Sequence, residues 1–316
     1  MQGKRILKKT GSTLVTLLLV SFLVFLAFAV IPGDPAVSKL GTNATPQRLE
    51  ALREEMGLNR PLLVRYFSWL QSFVTGDMGV SYSYGIPVGQ MILDKLPITL
   101  TMTAMAFLLM VGISIPVGIY AAKHQGGWID RAVLIVDQIV MAIPPFFSGI
   151  LITVLFGVVF RIFTPGGYVS YDKNFGGFLR YLLFPALAIA LPKAAMTVKL
   201  LRGSLLEQAR LDYTRTAYSR GNRTKDVLYK HVLQNAMIPV VTFLGMALAD
   251  IFTGSIIIEQ VFNIPGLGRI LLSSISNRDY PVVMAIIVCL AFAVVLINLL
   301  VDFIYHVIDP RIRTEE

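Results

Sequence analysis

Residues Thr10 to Gly33, TGSTLVTLLLVSFLVFLAFAVIPG, form a run of 24 residues without a charged side chain. About 20 apolar residues wound as a helix cross a hydrocarbon core roughly 30 Å thick. Inside lipid every backbone N–H and C=O must find its partner within the segment, so a run of this length reads as a helix rather than a strand. Three more runs pass the same test: Leu96 to Ala122 with 27 uncharged residues, Gln138 to Phe160 with 23, and Tyr280 to Val301 with 22. Two others are apolar but interrupted, Tyr181 to Leu201 by Lys193 and Lys199, and Val232 to Ile258 by Asp250. Six spans are expected, and the fold class is an all-α membrane protein.

The composition agrees. Of 316 residues, 55% are apolar and 15% charged, against about 45–50% and about 25% in an average soluble domain, which excludes an ordinary soluble enzyme. The 28 Lys and Arg exceed the 19 Asp and Glu, for a net charge of +9. An even number of spans puts both termini on one side, and the basic residues of the short loops mark the cytoplasmic one. The N-terminus, the connections between spans two and three and between spans four and five, and the C-terminus carry 16 of these cations, from Lys4, Arg5, Lys8 and Lys9 to Arg311 and Arg313. The segment from Pro32 to Lys95 balances six basic against six acidic residues, as translocated loops do. The basic surplus is thus a topology signal, and no nucleic-acid-binding module accompanies it. Ala27-Phe28-Ala29 resembles a signal-peptide cleavage site, but the apolar run continues through Ile31, longer than a usual signal core. The first helix, about 11–31, is therefore expected to remain. Cys289 lies inside an apolar run, so neither an internal disulfide nor a thiolate metal cluster can form.

The segment after the first span is too long for a bare connector. Thr45-Pro46-Gln47-Arg48-Leu49-Glu50 has a helix-start pattern with Thr45 as cap, and Gly57 ends the short helix. Pro61 to Val74 reads as a second helix whose Leu62, Leu63, Tyr66, Phe67, Trp69 and Leu70 suit either the membrane interface or the bundle. No internal repeat is visible, which weighs against a carrier built on inverted repeats. The stretch from Arg202 to Met237 is strongly basic yet helix-patterned. Leu206, Ala209, Tyr213 and Ala217 fall on one face of a helix from Leu205 to Tyr218. Gly221-Asn222 breaks it, and Asp226 to Asn235 follows as a second helix, an arrangement that presents a rigid corner to a partner protein.

Asp212-Tyr213-Thr214-Arg215-Thr216-Ala217, then Gly221, nine residues, His231-Val232-Leu233 and Asn235-Ala236 before Pro239 resemble the EAA loop of ATP-binding-cassette (ABC) importer permeases, and more narrowly that of the peptide and nickel permeases. Gly254-Ser255-Ile256-Ile257-Ile258-Glu259, Pro265-Gly266-Leu267-Gly268, Arg278-Asp279-Tyr280-Pro281 and the ending Ile308-Asp309-Pro310-Arg311-Ile312-Arg313 support the resemblance, which runs from Ile31-Pro32-Gly33 to the C-terminus. Arg215 stands where the superfamily has glutamate, and His231 where it has isoleucine; both look normal for the peptide branch.

The resemblance implies a type I importer (MetI-like) transmembrane fold: residues 1–95 as an N-terminal region with an extracellular segment, 96–306 as the permease domain, and 307–316 as a cytoplasmic tail. Its later helices are expected at about 97–122, 132–160, 181–201, 237–258 and 281–305, with a coupling loop at 202–236. It further implies a second homologous permease subunit in a heterodimer, two ATPase subunits, an extracellular or periplasmic solute-binding protein, and residence in a bacterial or archaeal inner membrane among its lipids. The chain itself should hydrolyse nothing and bind no cofactor, ATP and Mg being held by the ATPase subunits; the sequence has no Gly-x-x-x-x-Gly-Lys-Ser/Thr loop. The expected coupling contact is Arg210, Asp212, Tyr213, Arg215, Thr216, Ala217 and Gly221, with glycine at 221 for a backbone conformation closed to other residues and the small Ala217 for close approach. The outer segment Gln260 to Pro281 reads as a re-entrant turn. Glu259, Pro265, Gly266 and Gly268 are expected either to touch the binding protein or the solute, or to cap the bundle.

Ionisable residues inside spans are functional candidates. A rise of 1.5 Å per residue puts Lys193 and Asp250 about 14 and 18 Å deep, close enough to pair or to share a polar path. Asp137, Asn298 and Asp302 receive no role, and the scattered His124, His231 and His306 argue against a metal site. A lone proton-coupled carrier would not need the docking loop. An intramembrane hydrolase would need a nucleophile with its base at matching depth, and none is seen. Short peptides are the leading substrate expectation, and nickel or a nickel chelate the alternative.

Overall fold

The computed structural model describes residues 2–30, 35–40 and 45–308, and these are helical with no strand among them, apart from one isolated bridge between Val80 and Pro87. The break at 31–34, the side chains of the N-terminal lysines and arginine, of Asp302 and of His306, and the ending from Asp309 onward lie outside what it describes. Five described helices are long and apolar enough to cross a bilayer, and a sixth span is present if one bent pair counts as a unit.

The chain forms two compact units, Met1–Ile98 with Pro265–Val295, and Thr99–Ile264 with Leu296–Glu316. In the first, α1 (Gln2–Val30) supplies a span. The short α2 (Pro35–Leu40) follows, then α3 (Pro46–Glu55) and α4 (Leu62–Val74). Thr45 sits at the N-cap of α3 with extended backbone, but its side chain makes no capping hydrogen bond; Pro46 in the first turn, whose missing N–H is not needed there, starts the helix instead. Gly57, with φ +64°, stops it as expected. The buried Tyr66 of α4 packs edge-on to Phe22 of α1, and its hydroxyl shares a 2.8 Å hydrogen bond with Ser21 Oγ.

α5 (Val88–Lys123) begins in the first unit and continues into the second. There α6 (Trp128–Ala142) and α7 (Pro145–Ile152), the latter prolonged by a π-helical turn over Thr153–Val159, stand where one straight helix over 132–160 was expected. The two halves meet at 105°. Pro144 and Pro145 explain the bend. Neither has an N–H to donate, and a residue before proline is driven out of the helical region; Ile143 accordingly has φ −87° and ψ 120°.

α8 (Phe175–Ala209) is the axis of this unit, with Pro185 and Pro192 inside it and 72% of its apolar window buried. α9 (Asp212–Ser219) and α10 (Thr224–Asp226) follow; a π-helical stretch over Val227–Val232 then runs without interruption into α11 (Leu233–Val261). In the first unit α12 (Leu267–Ser276) is short and apolar; α13 (Tyr280–Ile308), the last span, begins there and ends in the second unit.

Candidate functional site

The helix expected over Leu205 to Tyr218 is two. α8 stops at Ala209, Leu211 is extended (φ −73°, ψ 154°), and α9 starts at Asp212 in a new direction. The turn is fastened by side chains: Thr214 Oγ1 donates to the Gln208 carbonyl at 2.9 Å, and Tyr213 Oη donates to Gln208 Oε1 at 2.8 Å. The first bond satisfies one of the last carbonyls of α8, which lack helical donors; the second ties the Gln208 side chain to α9. Beyond α9, Gly221 adopts φ +80° and Asn222 Nδ2 donates back to the Ala217 carbonyl at 3.0 Å.

Ala217 does not offer its methyl to a partner. It is 7% exposed and belongs to an apolar cluster with Leu201, Leu205, Val227, Val232, Ala236 and Val240. Its small size lets α9 lie close on the chain's own α8 and α11, and Tyr213 and Thr214 share that inward side. The opposite face carries Asp212, Arg215, Thr216 and Ser219, spaced three and four residues apart and all exposed. Arg215 and Asp212 pair across that face at 3.5 Å, with side chains 78% and 94% exposed. An exposed pair of this kind contributes little to stability, which leaves both groups available to another protein. Arg210, the C-cap of α8, is also exposed.

Two anchors missing from the sequence reading hold this elbow. Arg202, near the end of α8, grips Asp130 in the first turn of α6 through Nε–Oδ1 at 2.5 Å and Nη2–Oδ2 at 2.7 Å; Oδ2 also accepts the Gly126 N–H at 2.8 Å. Lys123, at the end of α5, donates to Tyr229 Oη at 3.0 Å, its ammonium 4.9 Å from the ring centre. Their partners are 72 and 106 residues distant in sequence, and no local spacing signals such pairs.

Because nothing lies within 4 Å of a Cβ added at Gly221, its replacement is strained by backbone conformation alone. A Gly221→Ala variant should therefore lose about 1–2 kcal/mol, read as a lower unfolding midpoint; an unchanged midpoint would remove the need for glycine at this turn.

Lys193 and Asp250 come together as an ion pair at 2.6 Å, with side chains 21% and 61% exposed. Asp250 lies on a stripe of α11 with Met246, Thr253, Ile257 and Gln260, all exposed. Three of these five are polar, in a helix apolar enough to span, and polar groups facing lipid are costly. The stripe fits a partner surface or a water-filled path better than it fits acyl chains.

The residues expected at the outer face are less accessible than a contact there requires. Glu259 is fully buried and accepts a hydrogen bond from Thr99 Oγ1 at 2.6 Å, so its carboxylate is turned into the protein and not toward a partner. Gly266, the N-cap of α12, and Gly268 are buried, and Pro265 is half-buried. In the first unit, Asp279 just before α13 is fully buried and accepts three hydrogen bonds from the 81–83 loop. The sequence reading quoted it only as part of a motif.

Residues 114–314 match the family model described as binding-protein-dependent transport system inner membrane component, and residues 3–103 match the model for the N-terminal part of such membrane components. Among curated proteins, the "Probable peptide ABC transporter permease protein y4tP" of Sinorhizobium fredii is 35% identical over 311 residues, covering 98% of this chain and 99% of that one. The "Oligopeptide transport system permease protein AppB" of Bacillus subtilis is likewise 35% identical over 311 residues, covering 98% of each chain. Matches of this extent over nearly the whole length, on a helical bundle with five to six candidate spans, place the chain in the family of binding-protein-dependent transport system inner membrane components.

Proposed function

We propose that this chain is one of two permease subunits of an ATP-driven importer of short peptides, and that it receives force through the exposed face of α9. The observation that carries this reading is the elbow. Asp212, Arg215, Thr216 and Ser219 project from a short helix whose other side is locked by the Ala217 cluster, at the junction of the two longest helical arms of its unit. A push on α9 is thus passed to α8 and α11 instead of being absorbed by a mobile loop. The 16 basic residues of the termini and the two short connections support a cytoplasmic position for both termini and this elbow, where separate ATPase subunits hold ATP and Mg. The polar stripe around Asp250 forms this subunit's half of the path, facing a homologous second permease, and a solute-binding protein delivers cargo on the other side.

The relatives quoted above are named for peptides and oligopeptides, which favours peptides over nickel as the cargo. The test uses the whole importer in proteoliposomes. Cysteines at 215, 216 and 219 should crosslink to the ATPase subunit while one at 217 does not, and Arg215→Glu should reduce ATP-dependent uptake of a labelled tripeptide at least tenfold. Crosslinking at 217 alone, or full tripeptide uptake by Arg215→Glu, would defeat the assignment of the docking face.

A further inference from the structure

A cavity of about 340 Å³ opens within the unit formed by Met1–Ile98 and Pro265–Val295. Phe25 and Phe28 of α1, Trp69 of α4, Tyr82 of the following loop and Tyr280 of α13 line it. Its charged groups are Arg60, Arg65 and Asp77. The apolar window of α1 ends at Val30, so Phe28 and Phe25 lie about 3 and 8 Å inside that end at 1.5 Å per residue. The cavity therefore sits at the level of the bilayer where headgroups meet acyl chains, the depth at which aromatic side chains collect.

α4 extends from that level down along α1. Its Tyr66 hydroxyl reaches the Leu18 carbonyl of α1 at 3.2 Å, while Leu63, Phe67 and Val74 on its other side are exposed. At 1.5 Å per residue Leu18 is about 18 Å inside the Val30 end, so α4 follows α1 into the hydrocarbon layer with an unpartnered apolar face beside it. The cavity is thus walled on one side by elements that stand in lipid.

Its lining carries charges of both signs. Neither Arg60 nor Arg65 has a carboxylate partner among the described residues; Arg65 instead lies over the Phe25 ring, 5.9 Å from its centre. Two guanidiniums without a carboxylate partner among the described residues, in a cavity lined with aromatic rings, fit a phosphodiester, which arginine recognises through its planar fork. Asp77 is exposed, with Oδ1 accepting the Gly79 N–H at 3.0 Å, and it supplies one negative charge. Pockets of roughly 300–1,000 Å³ hold small molecules, so a volume of about 340 Å³ takes a headgroup and glycerol but must expel two acyl chains. The exposed apolar flanks of α1 and α4 are where such chains would lie.

We propose that this cavity is a binding site for the phosphoethanolamine headgroup of a membrane glycerophospholipid, with phosphate on Arg60 and Arg65 and ammonium at Asp77. The lipid would brace the Trp69 end of α4 against the Phe25–Phe28 turn of α1. This site is independent of the docking face and of the cargo.

The full-length chain, purified in detergent and exchanged into nanodiscs of equal phosphatidylethanolamine, phosphatidylglycerol and phosphatidylcholine, should release with one phosphatidylethanolamine per chain in native mass spectrometry. In Arg60→Ala/Arg65→Ala that retention should fall at least tenfold. Asp77→Ala should keep a bound phospholipid while losing at least fivefold of its preference for ethanolamine over glycerol headgroups. In the unmodified protein, a photoreactive phosphatidylethanolamine should label the 56–82 segment, a readout that does not depend on any variant folding. Equal retention by the double arginine variant, an unchanged preference in Asp77→Ala, or labelling only elsewhere would overturn the proposal. Displacement of the lipid by millimolar tripeptide would make the cavity a peptide site, and displacement by inorganic phosphate alone would make it a phosphate site.

Discussion

Asp130→Ala is expected to destabilise the chain by about 3–5 kcal/mol, the range for removing one partner of a buried ion pair, and to uncouple ATP hydrolysis from uptake in the assembled importer. The Asp130 side chain is 3% exposed and that of Arg202 18%. Cutting the carboxylate back to a methyl leaves a guanidinium largely shielded from water with two donors unpaired, and frees the Gly126 N–H that Oδ2 accepts at 2.8 Å. Arg202→Ala should cost a similar amount, because it strands the carboxylate. In Asp130→Ala/Arg202→Ala no charge is stranded, so the double variant should be no less stable than the worse single one. The mechanical effect follows from position. The pair ties the first turn of α6 to α8 a few residues before the elbow, so without it α8 can yield at that end when α9 is pushed. Unfolding midpoints in detergent and the ratio of ATP hydrolysed to peptide taken up check both parts; additive single costs, or a fully coupled Asp130→Ala importer, would show that the pair is ornamental.

Much of this architecture is legible in one dimension because lipid imposes a length and a polarity on each span. Thr10 to Gly33 and Tyr280 to Val301 announce themselves by lacking charge, and Lys193 and Asp250 stand out because each is costly where it lies. Depth arithmetic alone brings those two to comparable levels, and they pair at 2.6 Å. The same hydropathy is blind to direction. Gln138 to Phe160 is uncharged throughout, so its sum takes no notice of the 105° bend that the proline pair creates. Periodicity located the inward side of α9, since Tyr213 and Ala217 both face the core, but it carried the helix straight through Arg210 and Leu211 and assigned the small residue to a partner. An apolar stripe says that something covers it, not whether the cover belongs to the same chain. The contacts that fix the elbow, Asp130 with Arg202 and Lys123 with Tyr229, are long-range pairs of charged and polar residues that look like ordinary loop residues in sequence.

The 81–83 loop rests on a single carboxylate in the same way, and Asp279→Ala should destabilise the chain by about 3–5 kcal/mol. Asp279 is fully buried. Its oxygens accept Ser81 Oγ at 2.5 Å, the Tyr82 N–H at 3.0 Å and the Ser83 N–H at 3.1 Å; Ser81 Oγ in turn accepts the Tyr84 N–H at 3.0 Å. Alanine leaves three donors without an acceptor, each costing about 1–3 kcal/mol when no water replaces it, and partial exposure of the loop lowers the sum. Asp279→Asn separates shape from chemistry. It fills the same space, but one oxygen becomes an NH₂ that faces donors, so most of the loss should persist. Tyr82 gives an independent readout. Its phenol is pushed up to about 12, first by burial and then by the charge of Asp279. The neutral phenol is the favoured form in the folded chain, so its contribution is complete below about pH 10 and is lost as pH rises toward 12. Removing the Asp279 charge should move the Tyr82 transition downward while burial keeps it above the ordinary tyrosine range, and ultraviolet titration against a Tyr82→Phe control resolves that shift. A Tyr82 transition unchanged in Asp279→Asn, together with a wild-type unfolding midpoint, would mean that the loop is held by its other contacts and that the carboxylate is incidental.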